Sequence, residues 1–465
     1  MGSFSSPHFV IFPFLSQGHT IPLLHLSRLL RRRSVVVTLF TTAGNSPRIR
    51  ASLRDTDVSI IEIPFPQNID GVPPGVENTD KLSVESSFLP FARATEQMRE
   101  SFEEALETLQ PPVSCVVSDS FLWWTAKSAQ KIGVPRLGFF GTGNFSATMY
   151  QILGRFRPHA GVDSVDEPFP MTDFPEVKLT RNDFEPPFGD INPSGPFVDF
   201  MMENGFISMG MSDGLIVNSF YEMESRYVDY WNKNLGPKAW NIGPLCLAAK
   251  PLPESKSTGY LQWLDEKWEK KEPVLYVSFG TQAEISPEQF LEIAQGLEKS
   301  EVSFLWALKS KDLDFLEPEF ESRVKGRGLV AKEWMDQLKI LQHEGVKGFL
   351  SHCGWNSVIE SISAGVPILA MPFMAEQHMN ARFVAEEVGV GLRIMPRGGT
   401  VRGHVAAEEV EMKVRELMGG GKVAEEVSKT AAAWGGAAHA AMQEGGSSWR
   451  SLDLLIDGMM GKFTD

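Results

Sequence analysis

Residues 334–377 read WMDQLKILQHEGVKGFLSHCGWNSVIESISAGVPILAMPFMAEQ. Within this stretch 346–350 is a short apolar run of the kind that forms a buried strand, and 355–364 has helical character with Gly365 just beyond it as a stop. Between them falls a strand-to-helix turn, Ser351-His352-Cys353-Gly354. The first amides of a helix lack intrahelical partners and the helix dipole adds partial positive charge there, so such a turn favours a phosphate. Gly354 lets the backbone approach closely, His352 and the Ser357 hydroxyl can add donors, and Asn356 can hold the turn or a sugar.

Working outward, the first half alternates apolar, strand-like runs with amphipathic helical stretches, at 8–14, 23–33, 35–40, 58–63, 86–109 and 113–118. That alternation predicts a parallel sheet flanked by helices. A proline-rich, aromatic stretch at 167–200 interrupts it with poor periodicity, as a binding loop or lid does. Regularity resumes at 214–218 and ends near Gly243-Pro244. A second alternating unit follows, at 274–279, 287–300, 303–308, 329–332, the opening stretch itself and 391–395. The expected organisation is therefore a first domain at 1–247, a small, polar, proline-bearing linker at 248–258 (AAKPLPESKST), a second domain at 259–442 and a terminal helical segment at 443–465.

At 465 residues and 42% apolar composition the chain is long enough for two domains, each with its own core. The formal net charge is −15 and no basic stripe appears beyond Arg31-Arg32-Arg33, which argues against nucleic acid as a partner. The three cysteines, Cys115, Cys246 and Cys353, lie far apart in no metal-ligand spacing, which points to reduced thiols and a cytoplasmic protein. No run of 18 or more apolar residues exists, so no membrane insertion is expected.

Three further positions carry chemistry. His19, in Pro13-Phe14-Leu15-Ser16-Gln17-Gly18-His19-Thr20, follows the first strand and precedes a helix expected to begin near Ile21-Pro22. Open α/β sheets bind ligands at the carboxyl ends of their strands, and an imidazole there can take a proton from a hydroxyl. Asp119 ends the run 113–118 and is placed to accept the other ring N–H of His19, or to cap the following helix. Thr281, in Val277-Ser278-Phe279-Gly280-Thr281-Gln282, repeats the strand-then-glycine-turn arrangement in the second domain. Two other patterns fail on context: Gly326-Arg327-Gly328-Leu329-Val330-Ala331 precedes a strand instead of following one, and Asp312-Leu313-Asp314 sits in a charged segment expected to be exposed.

The stretch 334–377, through Trp334, the run from Ser351 to Ser357, Glu360, Ala364-Gly365-Val366-Pro367 and Glu376-Gln377, resembles the signature box of plant family 1 UDP-glycosyltransferases. The resemblance implies the GT-B fold, an α/β architecture of two Rossmann-like parallel-sheet domains facing a central cleft, with the final helix, here 449–460, crossing back to the first domain. It implies donor binding by Thr281, Trp334, Met335, Gln337, His352, Gly354, Trp355, Asn356, Ser357, Glu360, Glu376 and Gln377, with Trp334 on the uracil and Glu360 on the ribose hydroxyls. It maps the catalytic base onto His19 and its partner onto Asp119. Trp and Gln at positions 355 and 377 accompany UDP-glucose in the family, whereas Arg or His there accompany other sugars. Five residues depart from the usual pattern: Met335-Asp336 stand where Ala-Pro is common, Met371 and Met374 replace aromatic or aliphatic residues, and Glu376 replaces Asp.

The expected reaction is therefore an inverting, metal-independent hexosyl transfer from a UDP-sugar co-substrate, with no further cofactor, to a small lipophilic acceptor such as a phenolic or flavonoid. The enzyme is expected to act as a monomer. Phe14, Phe121, Trp123, Phe140, Phe197, Phe200 and Met374 are candidates for the acceptor pocket. An epimerase-like sugar-nucleotide enzyme on the same fold, or an inactive UDP-binding protein, is the alternative.

Overall fold

A computed structural model of the chain describes residues 6–82, 87–248, 259–332 and 335–461. The strands, in chain order, are β1 (His8–Phe12), β2 (Val36–Thr41), β3 (Ser59–Glu62), β4 (Cys115–Asp119), β5 (Arg136–Phe140), β6 (Phe169–Met171), β7 (Phe174–Leu179), β8 (Gly214–Val217), β9 (Ala239–Asn241), β10 (Val274–Ser278), β11 (Ser303–Ala307), β12 (Gly328–Ala331), β13 (Val346–Ser351), β14 (Ile368–Ala370) and β15 (Gly391–Arg393). They form a seven-stranded sheet in the order β3-β2-β1-β4-β5-β8-β9, a six-stranded sheet in the order β12-β11-β10-β13-β14-β15, and the hairpin β6-β7. The pairings in both large sheets are parallel. In each, the order reverses direction beside the first strand of its unit, which is where doubly wound sheets bind ligands.

Contacts divide the chain into two compact units, 1–144 with 194–249 and 441–465, and 145–193 with 250–440. In the first unit the two-residue period of the strands sends Phe9 and Ile11 into one apolar layer and Val10 and Phe12 into the other. The first layer is closed by Leu23, Leu26, Leu29 and Leu30 of the helix Gln17–Arg31, and by Leu452, Leu455 and Met459 of the terminal helix Ser447–Gly461. Asp453 of that terminal helix pairs with Arg33, and Ser448 donates to the Gly243 carbonyl. The second layer takes Phe91, Phe102, Leu106 and Trp124. The second unit repeats the plan, with Leu275 and Val277 packed in one layer and Val274 and Tyr276 in the other.

Four sequence expectations need revising. The first helix starts at Gln17, not near Ile21, because Ser16 in extended conformation accepts the His19 and Thr20 amides on its carbonyl. Pro22 inside the helix removes only one backbone donor and does not mark the start. The helical stretch expected at 86–109 is broken into Phe88–Ala94, a 3₁₀ turn Thr95–Met98 and Arg99–Thr108. The stretch at 167–200 is not wholly irregular: it holds the β6-β7 hairpin, whose turn carries Asp173 at φ +68 and whose strands are too short for a periodicity to show. Residues 145–193, expected with the first domain, group with the second, where Arg382 pairs with Asp183 and Arg402 with Glu185. Apart from Ala248, the expected linker lies outside the described residues.

Candidate active site

In the first unit, β4 ends at Asp119 and the first helix carries His19 in its opening turn. His19 Nδ1 stands 2.6 Å from Asp119 Oδ2. Asp119 is 1% exposed; its Oδ1 accepts the Phe121 amide at 2.9 Å and its main-chain carbonyl accepts Arg136 Nη2 at 3.1 Å. An ionised carboxylate only accepts, so Nδ1 carries the proton and Nε2 the lone pair. The rings of Phe14 and Phe121 flank the imidazole at centroid distances of 5.7 and 5.6 Å. Gly141 closes its other side, since a Cβ there would stand 3.1 Å from His19 Cε1.

Those rings begin an aromatic chain. Phe14 meets Phe121 at 5.2 Å, Phe121 meets Phe88 at 5.4 Å, and Phe88 meets Phe197 at 6.3 Å. Phe88 was missed from the sequence, where it was one apolar residue of a longer helical stretch; the half-buried ring is visible only once that helix is broken at Thr95. Phe14 and Phe200 are 1% exposed and serve the core, Trp123 stacks edgewise on Phe200 at 5.1 Å, and Phe140 neighbours Trp231 at 6.2 Å. Met374 belongs to the second unit and is half-buried.

In the second unit, β13 leads into Ser351-His352-Cys353-Gly354 and the helix Trp355–Ala364. Cys353 takes φ +62, unusual for a residue with a side chain. It is held there because its amide donates to Ser351 Oγ at 3.1 Å and its carbonyl accepts Asn380 Nδ2 at 3.0 Å. Such strain costs roughly 1–3 kcal/mol and gathers at functional turns. Gly354 is the helix N-cap and has no side chain to close over the first-turn amides. The His352 ring lies between two glycines: a Cβ on Gly280 or on Gly354 would stand 2.6 Å from its Nε2. Burial pushes the His352 pKa down to about 4, the Lys309 charge adding to this and the Ser278 backbone opposing it, so the ring is neutral at pH 7. Lys309 is therefore a cation near this turn that no motif marked in the sequence. Thr281 follows Gly280, whose φ is +70, on the neighbouring loop after β10.

Beside this turn, Gln337 Nε2 donates to Ser357 Oγ at 3.0 Å and to Glu360 Oε2 at 2.7 Å, while its own carbonyl oxygen accepts Tyr276 Oη at 3.4 Å. Ser357 thus keeps its hydroxyl proton as a donor. Burial pushes the Glu360 carboxyl up to about 7, the Gln337 hydrogen bond pulling against it and Asp336 adding to it. Gln377 Oε1 accepts the amides of Phe373 and Met374 at 3.0 and 3.1 Å, which fixes the loop after β14 and leaves its NH₂ as a donor. Glu376 caps the helix Gln377–Arg382 and its Oε1 accepts Asn380 Nδ2 at 3.4 Å. Trp355 is 3% exposed beside Phe383, and Asn356 occupies the first helical turn. The Met335 side chain is 6% exposed in the apolar layer with Tyr276 and Ile340, so what it offers a ligand is backbone. Trp334 lies outside the described residues. Asp312, expected in an exposed segment, is 8% exposed within the turn Ser310–Phe315. Among the described residues no group of three His, Cys, Asp or Glu side chains is arranged to hold a metal ion.

Two Rossmann-like units, one carrying a carboxylate-held histidine and the other a phosphate-type turn, define a glycosyltransferase of the GT-B fold. Residues 216–410 match the family model "UDP-glucoronosyl and UDP-glucosyl transferase". The chain is 46% identical to UDP-glycosyltransferase 90A1 of Arabidopsis thaliana, over 97% of this chain and 95% of that one. Among solved structures it is similar to Glycyrrhiza uralensis UGT73P12 complexed with glycyrrhetinic acid 3-O-monoglucuronide, at TM-score 0.88 and 29% identity over 98% of this chain and 96% of that one. It is also similar to Phytolacca americana UGT2 complexed with UDP-2fluoro-glucose and pterostilbene, at TM-score 0.80 and 27% identity over 98% and 100%. The chain belongs to the UDP-glycosyltransferase family and is an enzyme that transfers a sugar from a UDP-sugar to a small acceptor. No helix among its described residues is long and apolar enough to cross a membrane.

Proposed function

We propose that this enzyme transfers glucose from UDP-glucose to a hydroxyl of a small aromatic acceptor with inversion at the anomeric carbon. The observation that carries the reading is the 2.6 Å contact between His19 Nδ1 and Asp119 Oδ2, which leaves Nε2 as the proton acceptor. His19 Nε2 takes the acceptor's O–H proton, the oxygen bonds to the anomeric carbon, and the bond from that carbon to the β-phosphate oxygen breaks. Asp119 stabilises the imidazolium that forms. The amides of the turn after β13, with His352, Ser357, Thr281 and the charge of Lys309, stabilise the departing UDP. An α-linked donor would then yield a β-glycoside, as single displacements invert. The ring chain Phe121, Phe88 and Phe197 beside His19, backed by the buried Phe14, supports a planar, apolar acceptor, in line with the pterostilbene held by the Phytolacca americana relative. Three free, buried cysteines support a reducing, cytoplasmic setting.

Incubation of the enzyme with UDP-glucose and a panel of phenols tests the reading. A glycoside supports it, an altered sugar nucleotide indicates an epimerase, and binding with neither product indicates an inactive nucleotide-binding protein. In donor competition UDP-glucose is expected to give the highest kcat/KM, because the neutral Gln377 amide suits sugar hydroxyls and offers a glucuronate carboxylate no cation. A higher kcat/KM for UDP-glucuronic acid or UDP-galactose would overturn this.

Turnover is expected to be nearly unchanged by a chelator, because amides, neutral donors and one lysine meet the phosphate charge. Activity that collapses in EDTA and returns with Mg²⁺ or Mn²⁺ would contradict that.

The Glu360 carboxyl adds a pH dependence. Burial raises its pKa to about 7, and ribose hydroxyls would donate to the ionised form, so binding releases a proton below that pH. Affinity for UDP-glucose, whose diphosphate has no terminal ionisation in this range, is expected to strengthen roughly three- to tenfold between about pH 6 and pH 8 and then level off. Glu360→Gln should bind more weakly with a flat profile, and a wild-type profile equally flat would remove Glu360 from the ribose.

A further inference from the structure

Arg136 is a charged residue at the start of the apolar strand β5, and it is 1% exposed. Its Nε donates to Ser118 Oγ at 2.9 Å, Nη1 to Ser212 Oγ, and Nη2 to the main-chain carbonyl of Asp119 at 3.1 Å. All three acceptors are neutral oxygens, and no described carboxylate forms an ion pair with the guanidinium. Burying a cation in this way is costly unless charge nearby compensates it. Space for it is made by Gly138, where a Cβ would stand 3.0 Å from Arg136 Nη1.

Three titratable groups of the packed elements face Arg136. Asp119 at the end of β4 is the principal one; Cys115 at the start of β4 contributes through its thiol; and Asp213, before β8, accepts the Arg136 backbone amide at 2.9 Å. Burial lowers the Arg136 pKa to about 10, with Asp119 and then Cys115 opposing the fall, so the side chain stays charged throughout the physiological range. Electrostatic attraction is mutual. The buried Asp119 carboxylate thus has a permanent cation on its backbone side and the His19 ring on its side-chain oxygen.

We propose that Arg136 is a positioning residue for the transfer reaction: its fixed charge balances the Asp119 carboxylate and so opposes protonation of the His19 ring, keeping the Nε2 lone pair available. This rests on the reading of His19 as the general base. Without that cation the one counter-charge that the described residues place within hydrogen-bonding reach of Asp119 is a proton on the His19 ring, and an imidazolium has no lone pair with which to take the acceptor's proton. A merely structural Arg136, tying β4 and β5 to the segment at Ser212, would make the same hydrogen bonds yet leave the titration of His19 alone.

The test is the pH profile of kcat/KM for an alcohol acceptor at saturating UDP-glucose. The acidic limb of the wild type is the reference against which two substitutions are read. Arg136→Gln, which removes the charge but keeps an amide donor, should move the limb up by roughly one pH unit. Arg136→Lys, which keeps the charge but loses the planar fork, should leave it in place even where activity falls. If both substitutions move the limb alike, or the glutamine leaves it unmoved, the charge has no such role. KM for UDP-glucose, set by residues of the other unit, should be unchanged in both. Failure of the underlying reading looks different, because His19→Ala would then retain its activity and its acidic limb.

Discussion

His19→Ala is expected to lower kcat on an alcohol acceptor by roughly 10²- to 10⁴-fold while leaving the affinity for UDP nearly intact. The separation of the two effects follows from the chain itself: His19 and Asp119 belong to the first compact unit, and the turn after β13 with its supporting Gln337, Glu360 and Gln377 belongs to the second. The loss should lie nearest the upper end for an unactivated alcohol and shrink for an acidic phenol that is already partly ionised. Asp119→Asn should lose less than His19→Ala, and the double variant should be little worse than His19→Ala, because residues that act as one unit are not additive. Steady-state rates with isothermal titration of UDP check all of this. A His19→Ala enzyme that keeps more than about a tenth of wild-type kcat lies below the loss expected of any general base and ends the assignment.

The second large effect is expected at Gly354. Its φ of −56 suits any residue, so alanine there meets no backbone strain. The added Cβ would instead stand 2.6 Å from His352 Nε2, so the imidazole must shift from the position it holds between Gly354 and Gly280. Overpacking of this kind costs roughly 1–3 kcal/mol, and here it is met by displacing His352 from the turn after β13, which we propose holds the diphosphate. UDP affinity should therefore fall roughly 10- to 100-fold, with a much smaller change in kcat at saturating UDP-glucose. Titration of UDP into Gly354→Ala checks this, and an affinity within about twofold of wild type would show that the diphosphate does not depend on this turn.

Short-range chemistry made the turn after β13 legible in the sequence. The apolar run before Ser351, the helix stop at Gly365 and the glycine between them specify a strand, a turn and a helix from within twenty residues, and the helix Trp355–Ala364 has the bounds expected of it. Asp119 was legible for the same reason, as the polar end of an apolar strand. What escaped was set by contacts between residues far apart in the chain. Segment 145–193 joins the second unit through Ser146 with Asn380, Asp183 with Arg382 and Glu185 with Arg402, pairs about two hundred residues apart that no local pattern announces. Pro22 read as a helix start and hid the fact that His19 sits inside the first turn, where the Ser16 carbonyl holds its amide. Phe88 and Lys309 have ordinary neighbours in the sequence and acquire meaning only from the ring and the imidazole they stand near. Arg136 did leave a local signal, a lone cation in an apolar strand, but its value depends on lying beneath Asp119.

The anomeric configuration of the product tests the central claim most directly. UDP-α-glucose and a phenolic or alcoholic acceptor, followed by proton NMR until the donor is consumed, should yield one glucoside whose anomeric proton shows β linkage, with UDP released in equal amount. An α-glucoside, a donor sugar epimerised without transfer, or UDP-glucose left unchanged beside an acceptor shown to bind would contradict single displacement by a His19-activated hydroxyl.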